Sequence, residues 1–221
     1  MNSANHIRVY ESEAFNFSAR PVVINISGRR YLSNSGRLFY VHPNVLRSSS
    51  QYFRELIPVN GHNHEQRIEV PETDVQTFGR YSHFLYFGKI PSRLKNDGDY
   101  DDSEYEELFR LYMFANVAKD SVVMNATIGA TLSRSTEIDG LGMHYLPQCL
   151  AITRAYRYST DNSPLRRLVV DICVWFGDED VIGNADDEGA IPAVVSICDY
   201  HDAGDCEACM DKKRKRADTG K

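Results

Sequence analysis

Over Pro21 to Gly28, PVVINISG, apolar and polar positions alternate weakly in a run rich in β-branched residues, which predicts a strand. The turn signal Ser33-Asn-Ser-Gly36 separates it from Leu38 to Val41, the paired strand. Pro43 then suits the first position of a helix, where its missing N–H costs nothing. Ser48 to Ser50 break that helix and can cap the next, which is expected to bury Tyr52, Phe53 and Leu56. Beyond a polar loop, Asn60 to Arg67, Ile68 to Val70 predict a third short strand. Thr73 with Gln76 three residues on has capping-box spacing. Val75, Phe78, Tyr81 and Leu85 recur on one face of the helix that opens there, and Gly88 ends it. Tyr105, Leu108, Leu111, Tyr112, Ala115 and Ala118 form the next stripe, and Asp120 caps a helix carrying Val123, Met124 and Ile128.

Serine and glycine mark a linker over roughly Ser133 to Gly142. Two more helices follow, Pro147 to Tyr158 and Pro164 to Phe176, the second with Leu165, Leu168, Val169, Ile172 and Trp175 or Phe176 on one face. Ile191 to Ile197 is a weaker segment beyond an acidic loop. Strand, strand, helix pair, strand and then successive helices is an α+β order, a small sheet covered by helices. No βαβ series is present, which excludes the usual nucleotide-binding architectures. Residues 1–20 are polar without a sustained period and read as a flexible leader, and residues 201–221 as a disordered basic tail.

Composition narrows the class. At 221 residues, with 42% apolar and 25% charged side chains, the chain is an ordinary globular protein. No apolar run approaches the roughly 18 residues of a membrane span, and the N-terminus lacks a secretory core, so an intracellular protein with reduced thiols is expected. Five cysteines at irregular spacing argue against a disulfide framework. Cys149 and Cys173 lie in apolar helical patterns and read as small core residues.

The net charge of −6 averages two opposed segments. Asp97 to Glu107 holds seven carboxylates and no basic residue. Read as a calcium loop from Asp97 it fails, with Asp102 at the glycine position and Leu108 in place of the closing glutamate. A solvated loop whose last carboxylates favour a helix N-terminus fits better, with a contact for a basic partner as a further reading. In the tail, Cys198, His201, Cys206 and Cys209 offer four zinc-type ligands, a structural metal set with few apolar residues to shield it. A mobile tail with incidental thiols has the same sequence. Lys212, Lys213, Arg214, Lys215 and Arg216 form a compact cluster of nuclear-import type, which would place the protein in nucleus or cytoplasm. Nothing in the mildly acidic body suggests direct nucleic-acid binding. There is no phosphate loop, Gly-x-Ser-x-Gly elbow or His-Glu-x-x-His. His42 lacks a nucleophile in recognisable context, and a half-buried histidine satisfying nearby groups is the simpler reading.

Phe39-x-Val41-His42, Leu46, Ser50, Phe53 and the later Leu85-Tyr86-Phe-Gly88 resemble the pattern of the BTB/POZ domain. The similarity runs on through Ile68-Glu-Val-Pro-Glu and Leu108 to Ile128, about half the chain in the right order. Ser163 to Trp175 and Cys198-x-x-His201 are similar to the extension of stand-alone BTB proteins from filamentous fungi. The resemblance implies a BTB/POZ fold over 21–130, a helical C-terminal extension over 143–200, and a non-catalytic interaction module. Its partners would be proteins, with homo- or hetero-oligomers, no small-molecule substrate and no membrane. It also raises a substrate adaptor of a cullin ubiquitin ligase, or a nuclear regulator with a zinc-stabilised tail. Two departures weigh on those roles. Pro21 and Ser49 stand where dimerising transcription-factor domains carry a buried Asp and a basic residue. Asn60-Gly-His62 lacks the hydrophobic-x-Glu of cullin adaptors.

Overall fold

The computed structural model describes residues 19–26, 37–58, 67–70, 73–93, 103–138 and 142–176. Its sheet is built from β1 (Val22–Ile26), β2 (Arg37–Val41) and β3 (Arg67–Val70) in the order β2-β1-β3. β2 runs antiparallel to β1, with Phe39 opposite Ile24, and β3 runs parallel to β1, with Ile68 opposite Ile24. The pleat sends Val22, Ile24, Ile26, Val41, Ile68 and Val70 into the core. The other face carries the cross-strand rows Tyr40–Val23–Arg67 and Leu38–Asn25–Glu69.

Between β2 and β3 lie α1 (Pro43–Ser49) and α2 (Gln51–Leu56). Pro43 opens α1, and Ser50, in an extended conformation, opens α2 by accepting from Phe53 N at 3.1 Å. Phe53 is buried, but Leu56, which periodicity placed in the core, is exposed. α2 spans under two turns, and Ile57 just beyond it fills the core instead.

α3 (Val75–Phe87) starts one residue later than the Thr73 spacing suggests. Asp74 is its cap, accepting from Thr77 N at 2.8 Å, and a carboxylate there also suits the helix dipole. Gly88, at φ +64°, closes α3 in the left-handed conformation that glycine takes freely.

α4 (Ser103–Val117) packs against α3, α5 (Ser121–Ser135) and α6 (Cys149–Tyr158), while α7 (Pro164–Phe176) packs against α5 and α6. α5 continues through Ser133 to Ser135, which the sequence assigns to a linker. Its hydroxyls are satisfied within the helix, Thr127 on Val123 O, Thr131 on Thr127 O and Ser135 on Leu132 O. α6 begins at Cys149 rather than Pro147, with Gln148 as its cap residue. On α7, Leu165, Leu168, Val169 and Ile172 face inward, at the spacing the sequence shows. The architecture is the α+β one, a three-stranded sheet covered by helices. No helix among the described residues is long and apolar enough to cross a membrane.

Candidate protein-interaction site

Two chain reversals meet inside the molecule: Ser49-Ser50 between α1 and α2, and Ala118 to Asp120 between α4 and α5. Ser50 Oγ donates to Ala118 O at 2.7 Å, and the amides of Gln51 and Tyr52 donate to Lys119 O and Ala118 O, each at 3.3 Å. Lys119 takes φ +49°, a left-handed conformation uncommon outside glycine, and this reverses the chain after α4. Asp120 is fully buried. Its Oδ2 accepts from Ser49 Oγ at 2.6 Å and from Tyr81 OH at 2.8 Å, and its Oδ1 from Val123 N at 3.2 Å. Burial first, then the charge and hydrogen bond of Asp120, push the Tyr81 phenol far above its ordinary value, so it stays a donor. The sequence reveals Asp120 as a helix cap only. Its other donors come from residues 71 and 39 positions away, beyond any local pattern.

A second link joins α1 to α3. His42 Nδ1 lies 2.7 Å from Tyr86 OH, and the His42 amide donates to the same oxygen at 3.0 Å. Phe39 points inward and meets Phe78 edge-on at 4.9 Å. Val41 and Leu46 are buried, Leu85 is half-buried, and Gly88 ends the helix. The residues carrying the sequence resemblance are therefore brought together where β2, α1, α2 and α3 converge.

Around this frame three large apolar side chains stand exposed among polar neighbours. Leu38 and Tyr40 project from β2, 40% and 64% exposed, and Phe87 at the end of α3 is 66% exposed, its ring tilted against His83 with centres 4.7 Å apart. β3 contrasts with this, exposing Arg67 and Glu69, the latter accepting from Asn25 Nδ2 at 2.7 Å.

The last carboxylates of the acidic segment lie in the first turn of α4, as the sequence predicts, but they are not left to solvent. Glu104 is buried, accepting from Ser92 Oγ at 2.7 Å and facing Arg134 at 3.2 Å. Glu106 pairs with Arg110 and Arg154, and Glu107 with Arg80 at 2.6 Å. These three carboxylates are engaged inside the protein rather than solvated, because α4 is flanked by arginines from α3, α5 and α6. Arg134 also stacks on Tyr145 at 3.7 Å, and Tyr105 OH donates to Tyr145 O at 2.5 Å, which holds the α5–α6 connection on the domain. Asp97 to Asp102 lie outside the described residues.

The two helical cysteines are not core residues. Cys149 is exposed because it opens α6, whose buried side is Ala151 and Ala155. Cys173 is half-buried, and that burial pushes its thiol up. The candidate zinc set Cys198, His201, Cys206 and Cys209, the basic cluster Lys212 to Arg216, and Asn60 to His62 fall outside the described residues. Among the described residues, no group of three or more His, Cys, Asp or Glu side chains could hold a metal ion.

Residues 31–115 match the family model of the BTB/POZ domain, so the chain contains a BTB/POZ domain, a protein–protein interaction module. No curated protein matches the chain.

Proposed function

We propose that the chain is a non-catalytic scaffold whose BTB/POZ core binds a second copy of itself or another protein. The observation supporting this is the exposure of Leu38, Tyr40 and Phe87 beside the residues that match the family. Covering apolar surface stabilises a complex by about 25 cal/mol per Å² before the costs of association. Two buried ionisable contacts, Asp120 with Tyr81 and Glu104 with Arg134, are engaged with one another and fulfil structural tasks. Sedimentation of the purified chain tests the homotypic half, and a strict monomer at micromolar concentration refutes it. Affinity purification with mass spectrometry tests the heterotypic half. Recovery of a cullin there would specify a ligase-adaptor role.

A further inference from the structure

α7 buries Leu165, Leu168, Val169 and Ile172, and at about 100° per residue the positions on its opposite side include Val170 and Val174. Both valines are open to water, 45% and 55% exposed. Arg166, Val170 and Val174 follow at four-residue intervals and form one ridge along the helix. Tyr156 of α6 extends the ridge at its start. Its ring lies beneath the Arg166 guanidinium at 5.0 Å, and Arg166 also donates to Tyr156 O. From Arg166 to Val174 the ridge spans about 12 Å at 1.5 Å per residue, running toward Phe176, where α7 ends.

Two arginines flank this ridge, Arg167 one turn before Val170 and Arg157 next to Tyr156. Both are exposed and make no ion pair among the described residues, whereas Arg154 is paired with Glu106 and Arg166 with Asp161. Over residues 149–176 four arginines stand against two aspartates, so this helix pair is positive in a chain of net charge −6. The sequence that follows has the opposite sign. Residues 177–190 hold six carboxylates and no basic side chain. Ile191 to Ile197 then bring four large apolar side chains, Ile191, Val194, Val195 and Ile197, without a charge. The fourteen linking residues reach up to about 46–50 Å, and Val170 lies only about 9 Å back along α7 from Phe176. The chain that leaves α7 is therefore long enough to return over the ridge.

We propose that residues 191–197 of this same chain dock on the α6–α7 ridge. Their apolar side chains cover Tyr156, Val170 and Val174, and carboxylates of 177–190 lie opposite Arg157 and Arg167. Each side then removes from water apolar surface that it cannot cover alone. The covalent connection keeps the segment near the ridge at an effective concentration on the order of millimolar. A contact too small to hold two separate chains is sufficient here, because no translational or rotational freedom of a second molecule is lost. A protein that binds this face of the extension must first displace the segment.

Disulfide trapping in the full chain, its five cysteines replaced by serine, tests the contact, with circular dichroism to verify folding. Val170→Cys or Val174→Cys is combined with Val195→Cys, and Leu38→Cys with Val195→Cys serves as the control on the sheet. In a glutathione buffer the ridge pairs should close within one chain at least about tenfold more readily than the control. Equal closure of ridge and control pairs overturns the proposal. Bonds that join two chains instead of closing one overturn the intramolecular occupant. Closure indifferent to high salt overturns the part given to Arg157 and Arg167. A double-mutant cycle reads the same contact with all five cysteines in place. Val194→Asp/Val195→Asp should lower the urea midpoint, and lower it no further in a chain that already carries Val170→Asp/Val174→Asp. No loss in the parent chain, or equal losses in both backgrounds, overturns the docking.

Discussion

Tyr81→Phe removes one oxygen from the buried corner and leaves the ring, which packs against Phe114 at 4.9 Å and Phe53 at 6.2 Å. What is lost is the donor 2.8 Å from Asp120 Oδ2. Hydrogen bonds to charged groups contribute about 1.5–3 kcal/mol. Asp120 is fully buried, so water does not replace the donor, although Ser49 at 2.6 Å and the Val123 amide at 3.2 Å remain. The expected loss is therefore about 1.5–3 kcal/mol, a large share of the ~5–15 kcal/mol typical of a domain. Urea unfolding followed by circular dichroism should show a lower midpoint with an unchanged slope. Asp120→Asn supplies the second arm of a cycle. It keeps the helix cap, since Asn ranks with Asp there, and substitutes a neutral acceptor for a charged one. A neutral bond contributes about 0.5–1.5 kcal/mol, so Tyr81→Phe should cost about 1 kcal/mol less in that background. A loss below about 0.5 kcal/mol in the parent, or equal losses in both backgrounds, would refute the charge-assisted corner.

Gly79→Ala should raise stability by about 0.5–1 kcal/mol, because the added Cβ meets only Phe39 at ordinary contact distance. A thermal melt followed by circular dichroism measures the gain, and an unchanged or lower midpoint would contradict it. Burial of Glu137 opposes ionisation, but hydrogen bonds from Arg134 and Arg93, with their charges, hold its carboxyl below the usual value. Its contribution is thus complete above the unfolded value of about 4.3 and lost as pH falls through the folded one. Glu137→Gln should be less stable than wild type at neutral pH, with the gap closing in acid. A gap independent of pH in chemical denaturation would contradict this. Iodoacetamide mapped by mass spectrometry should label Cys149 before Cys173, since the first is exposed and burial raises the thiol of the second. Equal rates would count against that placement.

Local signals carried most of the fold. Pro43 and Gly88 each impose a backbone requirement that a neighbouring residue does not meet, so those helix ends were legible where they stand, and the run Ser48 to Ser50 bracketed the cap that Ser50 supplies. Asp74 supplanted Thr73 because two adjacent residues could both cap, and spacing does not rank them. Periodicity also describes a helix's own faces and not how many neighbours surround it. Glu104 and Glu106 occupy polar positions on α4, and the pattern is the same whether they meet water or Arg134 and Arg154. The site was the least legible part. In β2 both faces are apolar, Phe39 and Val41 on one and Leu38 and Tyr40 on the other, so alternation did not tell inside from outside.

The corner at Ser50 also sets where the chain can be cut. Its bond to Ala118 joins positions 68 residues apart. During synthesis the amides of Gln51 and Tyr52 stay on water until residues 118 and 119, their acceptors in the fold, have been added. The corner therefore closes late, after a long loop has been drawn together. A fragment ending at residue 115, where the family match stops, lacks both the acceptors and the Asp120 carboxylate. A piece that keeps this corner must run past Asp120 into α5.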